Sequence, residues 1–249
     1  MTNQFHRALN RMAFFTALLV AGLILFYDAF LRVASVNILL NGIIIGTTIF
    51  GIGLCFVEMF KLLPEYKWAR AYFSGKKNAP LPPRLLRPVA LILRARPVRI
   101  SATTLNGMLD MILTRFEDSR ESVRYITNTL VFLGLLGTFW GLILTVGGFA
   151  DLIGTLNFAN ESVLQDMQAG LTVPLSGMAT AFTSSLMGLA GSLAIGFLGL
   201  QVQLAQNAIF REVEDYLSAH TSVATTDTVS TVLPQINENL SAIRQTFTE

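Results

Sequence analysis

Ionisable chemistry is scarce in this 249-residue chain, and the scarcity narrows what it can do. It has one cysteine, Cys55, so no internal disulfide can form. Its two histidines, His6 and His220, lie far apart in sequence, and no His/Cys/Asp/Glu cluster has the spacing of a metal site. Charged residues make up 14% of the chain, where roughly 25% is usual in a soluble domain. With no catalytic constellation, no metal site and no cofactor motif, the expectation is a protein that is not an enzyme and carries no cofactor.

What is abundant is apolar: 52% of residues are hydrophobic, 18 of them Phe. They gather into four runs, each near the roughly 20 helical residues that cross a bilayer core. The first covers about Met12–Leu31. No Ala-x-Ala-like site follows it, so a retained helix is expected rather than a cleaved leader. Asp28 falls near its far end, where a carboxylate reaches the interface. After a tight connection at Arg32–Asn37, the second run covers about Ile38–Phe60 and contains Gly42 and Gly46 in a G-x-x-x-G packing motif. Glu58 and Lys61 close it. The third and fourth runs, about Ile126–Ala150 and Pro174–Leu200, hold no Lys, Arg, Asp or Glu in their interiors. They are instead rich in Gly, Ser and Thr, the residues that let membrane helices approach closely.

Charge placement orients these runs. Residues 61–124 carry thirteen of the 18 Lys and Arg against five Asp and Glu. The connection near 150–173 holds Asp151, Glu161 and Asp166 and no basic residue. Basic loops stay in the cytoplasm, so four spans are expected with both termini cytoplasmic. Prolines at 80, 82, 83, 88 and 97 forbid one long helix early in the basic segment. Its second half, Thr103–Arg124, repeats Leu105, Met108, Leu109, Ile112, Leu113 and Phe116 at helical spacing, predicting an amphipathic helix running into the third span. Beyond a Thr- and Ser-rich break at 220–230, Val229, Leu233, Ile236, Leu240, Ile243 and Phe247 alternate in steps of four and three. That is a short a/d seam suited to pairing between subunits. The fold class is all-α membrane protein. The four regions are a peripheral helix pair (1–60), the basic cytoplasmic loop (61–125), a helix pair rich in small residues (126–200) and a cytoplasmic helical tail (201–249).

Two stretches of the third and fourth runs carry a family resemblance. The first, Gly134-Leu-Leu-Gly-Thr-Phe-Trp-Gly-Leu142, is followed by Gly177-Met-Ala-Thr-Ala-Phe-Thr-Ser-Ser-Leu-Met-Gly-Leu189, in the order and type of the MotA/TolQ/ExbB proton-channel family. The resemblance covers about Ser119–Leu217. The four-span layout is similar to the flagellar stator type, whereas the motif wording is nearer the TolQ/ExbB type and the channel subunit of Zorya phage defence. The resemblance implies a homopentamer in the bacterial inner membrane enclosing a dimer of single-span partners of the MotB/ExbD/TolR kind. The partner's membrane Asp then carries the proton and the ring turns around it, driven by the proton motive force. By motif match Thr138 corresponds to the family's pore-lining Thr. Ser185 stands where the second signature has Thr, keeping the hydroxyl and losing a methyl. Pro174 is matched with a stator proline at the pore entrance.

The residues themselves leave two readings open. Thr138, Gly141 and Thr145 share a helix face, as do Thr180, Thr183 and Ser184, with Ser185 about 100° from Ser184. Hydroxyls both donate and accept, so they can line a proton pathway without fixing a charge. Alternatively each bonds its own i−4 carbonyl and only packs. Gly134, Gly137, Gly141, Gly188 and Gly191 are expected at helix contacts. Because these two helices offer no titrating group, a conducting complex must take its carboxylate from another chain. The competing classes are a proton-driven motor subunit and a non-conducting oligomeric scaffold. A transporter is disfavoured by the absence of inverted repeats with broken helices.

Overall fold

The computed structural model describes residues 3–73, 84–94, 102–155, 163–219 and Pro234. Among them are seven helices and no strand: α1 (Asn3–Leu25), α2 (Tyr27–Ser35), α3 (Ile38–Phe73), α4 (Arg87–Arg94), α5 (Ala102–Thr155), α6 (Val163–Gly170) and α7 (Thr172–Ala219). Four of these, α1, α3, α5 and α7, are long and apolar enough to cross a bilayer, which makes this a multi-pass membrane protein. The terminal a/d seam at 229–249 and the break at 220–230 lie outside the described residues, apart from Pro234.

Several boundaries differ from the sequence expectation. The first helix starts at Asn3, ahead of the apolar run, because Phe5, Ala8 and Met12 bury one face. It breaks at Phe26, and α2 resumes with Asp28 in its first turn, where a carboxylate meets the positive end of the helix dipole. The connection expected at Arg32–Asn37 shrinks to two residues. Asn37 caps α3 by accepting from the Leu40 amide at 3.1 Å. Nor does α3 end at Lys61; it continues to Phe73 with Pro64 inside. Pro64 is exposed, while Leu62, Tyr66, Trp68, Ala69 and Tyr72 supply a buried face that outweighs one missing backbone bond. The amphipathic helix expected at Thr103–Arg124 is the first part of the unbroken α5.

The chain forms two compact units, and it passes from one to the other inside α3, α5 and α7. The first unit, Met1–Leu62 with Glu117–Asn207, contains the apolar spans. Here α3 lies parallel to α7, since Thr48 sits by Gly191 and Ile195 by Gly51. It lies antiparallel to α5, since Leu40 sits by Gly137 and Ile126 by Gly51. Side-chain size is inverted relative to a soluble core: glycines, serines and alanines face the helix contacts, while Leu135, Phe139, Ile143, Phe182 and Leu186 point outward. Lipid tails solvate large apolar groups as well as a protein interior does, so close backbone packing is what remains to hold the helices.

A polar layer ties the three long helices together beyond the apolar stretch. Ser119 donates to Glu58 at 2.9 Å, and Glu58 pairs with Lys61 at 2.7 Å. Arg120 donates to Gln206 at 2.9 Å and to Asn207 at 2.7 Å. Gln206 is only 1% exposed, so the guanidinium satisfies a buried amide oxygen that would otherwise be orphaned.

The second unit, Leu63–Phe116 with Ala208–Glu249, has an ordinary core. Val89, Ile112, Phe116, Ile209, Val213 and Leu217 are buried, and Phe73 stacks on Tyr216 with ring centroids 4.2 Å apart. Glu65, 2% exposed, accepts the backbone N–H groups of Arg84, Leu85 and Leu86 at 2.9, 2.8 and 3.2 Å. One carboxylate thus holds the entry to α4. Leu86 in turn receives the first bond of that helix, from the Ala90 amide at 2.8 Å.

Candidate functional site

The site is built on the contact line between α5 and α7. A Cβ placed on Gly141 would lie 2.5 Å from the Ala181 amide and 2.5 Å from the Gly177 carbonyl. One on Gly177 would meet the Thr145 amide at 2.6 Å, and one on Gly188 the Leu130 carbonyl at 2.6 Å. Gly148 abuts the Pro174 nitrogen, and Gly199 abuts Val123. Each step along α5 is matched by an equal step back along α7, so the antiparallel register is constant. From Val123 to Leu152, which faces Gly170 of α6, it covers about 44 Å of helix, more than an apolar bilayer core of about 30 Å. The expected packing residues Gly134, Gly137, Gly141, Gly188 and Gly191 are all at these approaches, the last against Thr48 of α3.

The six expected pathway hydroxyls divide into groups. Thr145 is sealed in the contact line, donating to Gly141 at 2.8 Å and to the Pro174 carbonyl at 3.2 Å. Pro174 is itself buried there. Ser184 is buried on the flank facing α3, where it donates to Asn41 Oδ1 at 2.8 Å. Thr180, also buried, donates to the Ser176 carbonyl at 3.0 Å. Thr183 is half-buried and bonds the Ala179 and Thr180 carbonyls at 2.8 and 3.3 Å. Those four are occupied in packing or in their own backbone.

Thr138, although it too bonds its own helix, and Ser185 differ in where they stand. Gly137 packs directly on Ser184, and since the helices run opposite ways the next residue of each stands within about 3 Å of the other along the axis. At 100° per residue both fall about 50° from the contact line, and because the helices run opposite ways both fall on the same side of it. That side is the one away from α3. Both residues are half-buried. Thr138 donates to the Leu135 carbonyl at 2.6 Å, which leaves its oxygen lone pairs available. Among the described residues, none takes a hydrogen bond from Ser185. Around them Leu135, Leu142, Met178 and Leu189 are exposed. Two hydroxyls therefore sit within about 3 Å of one another in height, on an apolar face that nothing among the described residues covers. Both can accept from a protonated carboxyl, and the Ser185 hydroxyl can donate to a carboxylate.

One residue that pattern reading passed over is Asn41. Fully buried, it accepts from Ser184 and donates from Nδ2 to the Val33 carbonyl at 3.0 Å, satisfying one of the last carbonyls of α2. Its signal was available, since it is the one amide within the second apolar run. No family model, curated protein or solved structure matches this chain.

Proposed function

We propose that this chain is the channel subunit of a proton-motive-force-driven motor of the bacterial inner membrane, with both termini in the cytoplasm. In this reading it forms a homopentameric ring around a dimer of single-span partners, whose membrane Asp takes and releases the proton. The observation that carries the proposal is the neighbouring pair of hydroxyls, Thr138 and Ser185, on the side of the α5–α7 contact away from α3. Each lies in one of the two stretches that resemble the MotA/TolQ/ExbB family. A carboxylate passing that pair gains hydrogen bonds that apolar neighbours cannot supply. The chain has no titrating group of its own in the interiors of these spans, so the proton carrier is assigned to the partner.

Assembly is the first test. Purified in mild detergent, the chain should have the mass of a pentamer and should retain a co-expressed single-span partner. A stable monomer at concentrations above micromolar would overturn the proposal.

A second reading, a non-conducting oligomeric scaffold, is favoured by the four hydroxyls engaged in packing or backbone bonds. It predicts the same ring with no dependence of proton movement on Thr138 or Ser185.

A further inference from the structure

The uncovered face of α1 changes character within two turns. Phe5, Ala8 and Met12 bury the opposite side of the helix. Roughly 120° round from them, Arg7, Arg11, Phe14 and Leu18 follow at i, i+4, i+7 and i+11, all within about 60° of one another. Phe14 is 73% and Leu18 58% exposed, and both arginines are exposed too. Neither arginine has an ion-pair partner among the described residues, where the one pair is Lys61–Glu58. One stripe of a membrane span thus carries two unpaired guanidinium groups and then two large apolar side chains.

Contacts within the first unit fix the depth of this stripe. Phe15 packs on Phe197 of α7 with ring centroids 4.2 Å apart. Phe197 is close to the level of Gly51 in α3, so α1 must run from there back to the start of α3, opposite to α7. Arg7 then stands about 12 Å beyond the Phe15–Phe197 contact, and Gln206 about 13.5 Å beyond it on α7. Gln206 belongs to the polar layer that ends the apolar stretch, with Ser119, Arg120 and Glu58. Arg7 is therefore level with that layer, and Arg11 lies one turn inside it. Phe14 and Leu18 lie about 5 and 10 Å deeper than Arg11. At the first depth a span meets lipid phosphates, and at the second it meets acyl chains.

We infer that the Arg7–Arg11–Phe14–Leu18 stripe binds an anionic phospholipid, with its phosphate on the two guanidinium groups and an acyl chain laid along Phe14 and Leu18. Guanidinium groups pair bidentately with phosphate, which suits Arg over Lys at this task. Charge complementarity selects the occupant, because two unpaired cations at headgroup depth favour a lipid of net negative charge over a zwitterionic one. The inference rests on the membrane reading alone and is independent of the motor proposal.

The test uses the full chain in nanodiscs of about one-third phosphatidylglycerol in phosphatidylcholine. One lipid or the other carries a photoreactive group in its acyl chain, and labelling of Phe14 and Leu18 is read by mass spectrometry. Each basic residue near an anionic surface is worth roughly fivefold in affinity, so phosphatidylglycerol should be preferred there about 25-fold over its bulk share. Phe50 of α3, exposed in the same unit with no cation beside it in the chain, should be labelled at the bulk ratio. Arg7→Gln with Arg11→Gln should bring Phe14 and Leu18 to that ratio as well. Both arginines are exposed and unpaired, so this variant should unfold at the same point as the parent. Bulk-ratio labelling of Phe14 and Leu18 in the parent would overturn the inference, and so would a preference that survives in the double variant. Labelling by neither lipid would overturn it too, giving the stripe to a protein partner or a second copy of the chain.

Discussion

Adding a single methyl group at Gly141 tests the close packing of α5 on α7. The Cβ of Gly141→Ala would sit 2.5 Å from both the Ala181 amide and the Gly177 carbonyl, and 2.6 Å from Ala181 Cβ, where ordinary contact begins at 3.4 Å. The obstacle is mostly backbone, so no rotamer change relieves it, and the helices must part by about 1 Å. A gap of that size forfeits a quarter to a half of each dispersion contact it opens. Overpacking costs about 1–3 kcal/mol, and the higher helix propensity of Ala returns up to about 1 kcal/mol. The expected net loss is about 1 kcal/mol, and about 2 kcal/mol relative to a Gly→Ala change that meets no obstacle. Gly147→Ala is the internal control, because its Cβ would meet nothing within 4 Å and it gains the same propensity. Unfolding both variants by SDS titration in mixed micelles should separate them clearly. If Gly141→Ala and Gly147→Ala unfold together, the close α5–α7 register is wrong.

Two further outcomes follow from buried polar groups. Ser184→Ala leaves the Asn41 oxygen without its donor, and inter-helix hydrogen bonds in membranes average about 0.6 kcal/mol, with a maximum of about 1.7 kcal/mol. The variant should lose about 1 kcal/mol in the same titration, and Asn41→Leu should suppress the effect of Ser184→Ala. Glu65→Gln replaces a carboxylate that accepts three amides with a group having one acceptor oxygen. Charge-assisted bonds are worth about 1.5–3 kcal/mol against about 1 kcal/mol for neutral ones, so α4 should loosen by about 2–4 kcal/mol. Trypsin cleavage after Arg84 should then accelerate, and an unchanged cleavage rate would argue against the clamp.

The parts of this fold set by local pattern could be read from the sequence. Four apolar runs give four long apolar helices, and the periodicity at Thr103–Arg124 gives the first part of α5. Hydropathy reported where lipid contact stops, not where helices stop. The end of α3 was invisible because Tyr66, Trp68 and Tyr72 continue the helix on tertiary packing alone, past Lys61 and through Pro64. The abundance of small residues foretold close packing, but composition cannot say which helix is the partner. Thr138 and Ser184 look alike in sequence. One faces away from α3, and the other is bonded to an asparagine 143 positions earlier. The Glu65 clamp was likewise hidden, since it joins a carboxylate to backbone amides some 20 residues on, and amides have no sequence signature.

The central claim is that this chain passes protons to a partner's carboxylate at Thr138 and Ser185. The most direct measurement is proton uptake into vesicles holding the chain with a single-span partner, compared with vesicles holding Thr138→Val plus Ser185→Ala and the same partner. Thr to Val is nearly isosteric, so packing is kept while a hydrogen bond to a charged group, worth about 1.5–3 kcal/mol, is lost at each position. That amounts to at least a tenfold fall in flux with the assembly intact, and flux in the parent complex should also vanish when the partner's membrane Asp is replaced by Asn. Parent-level flux in the double variant would contradict the account and return both hydroxyls to packing.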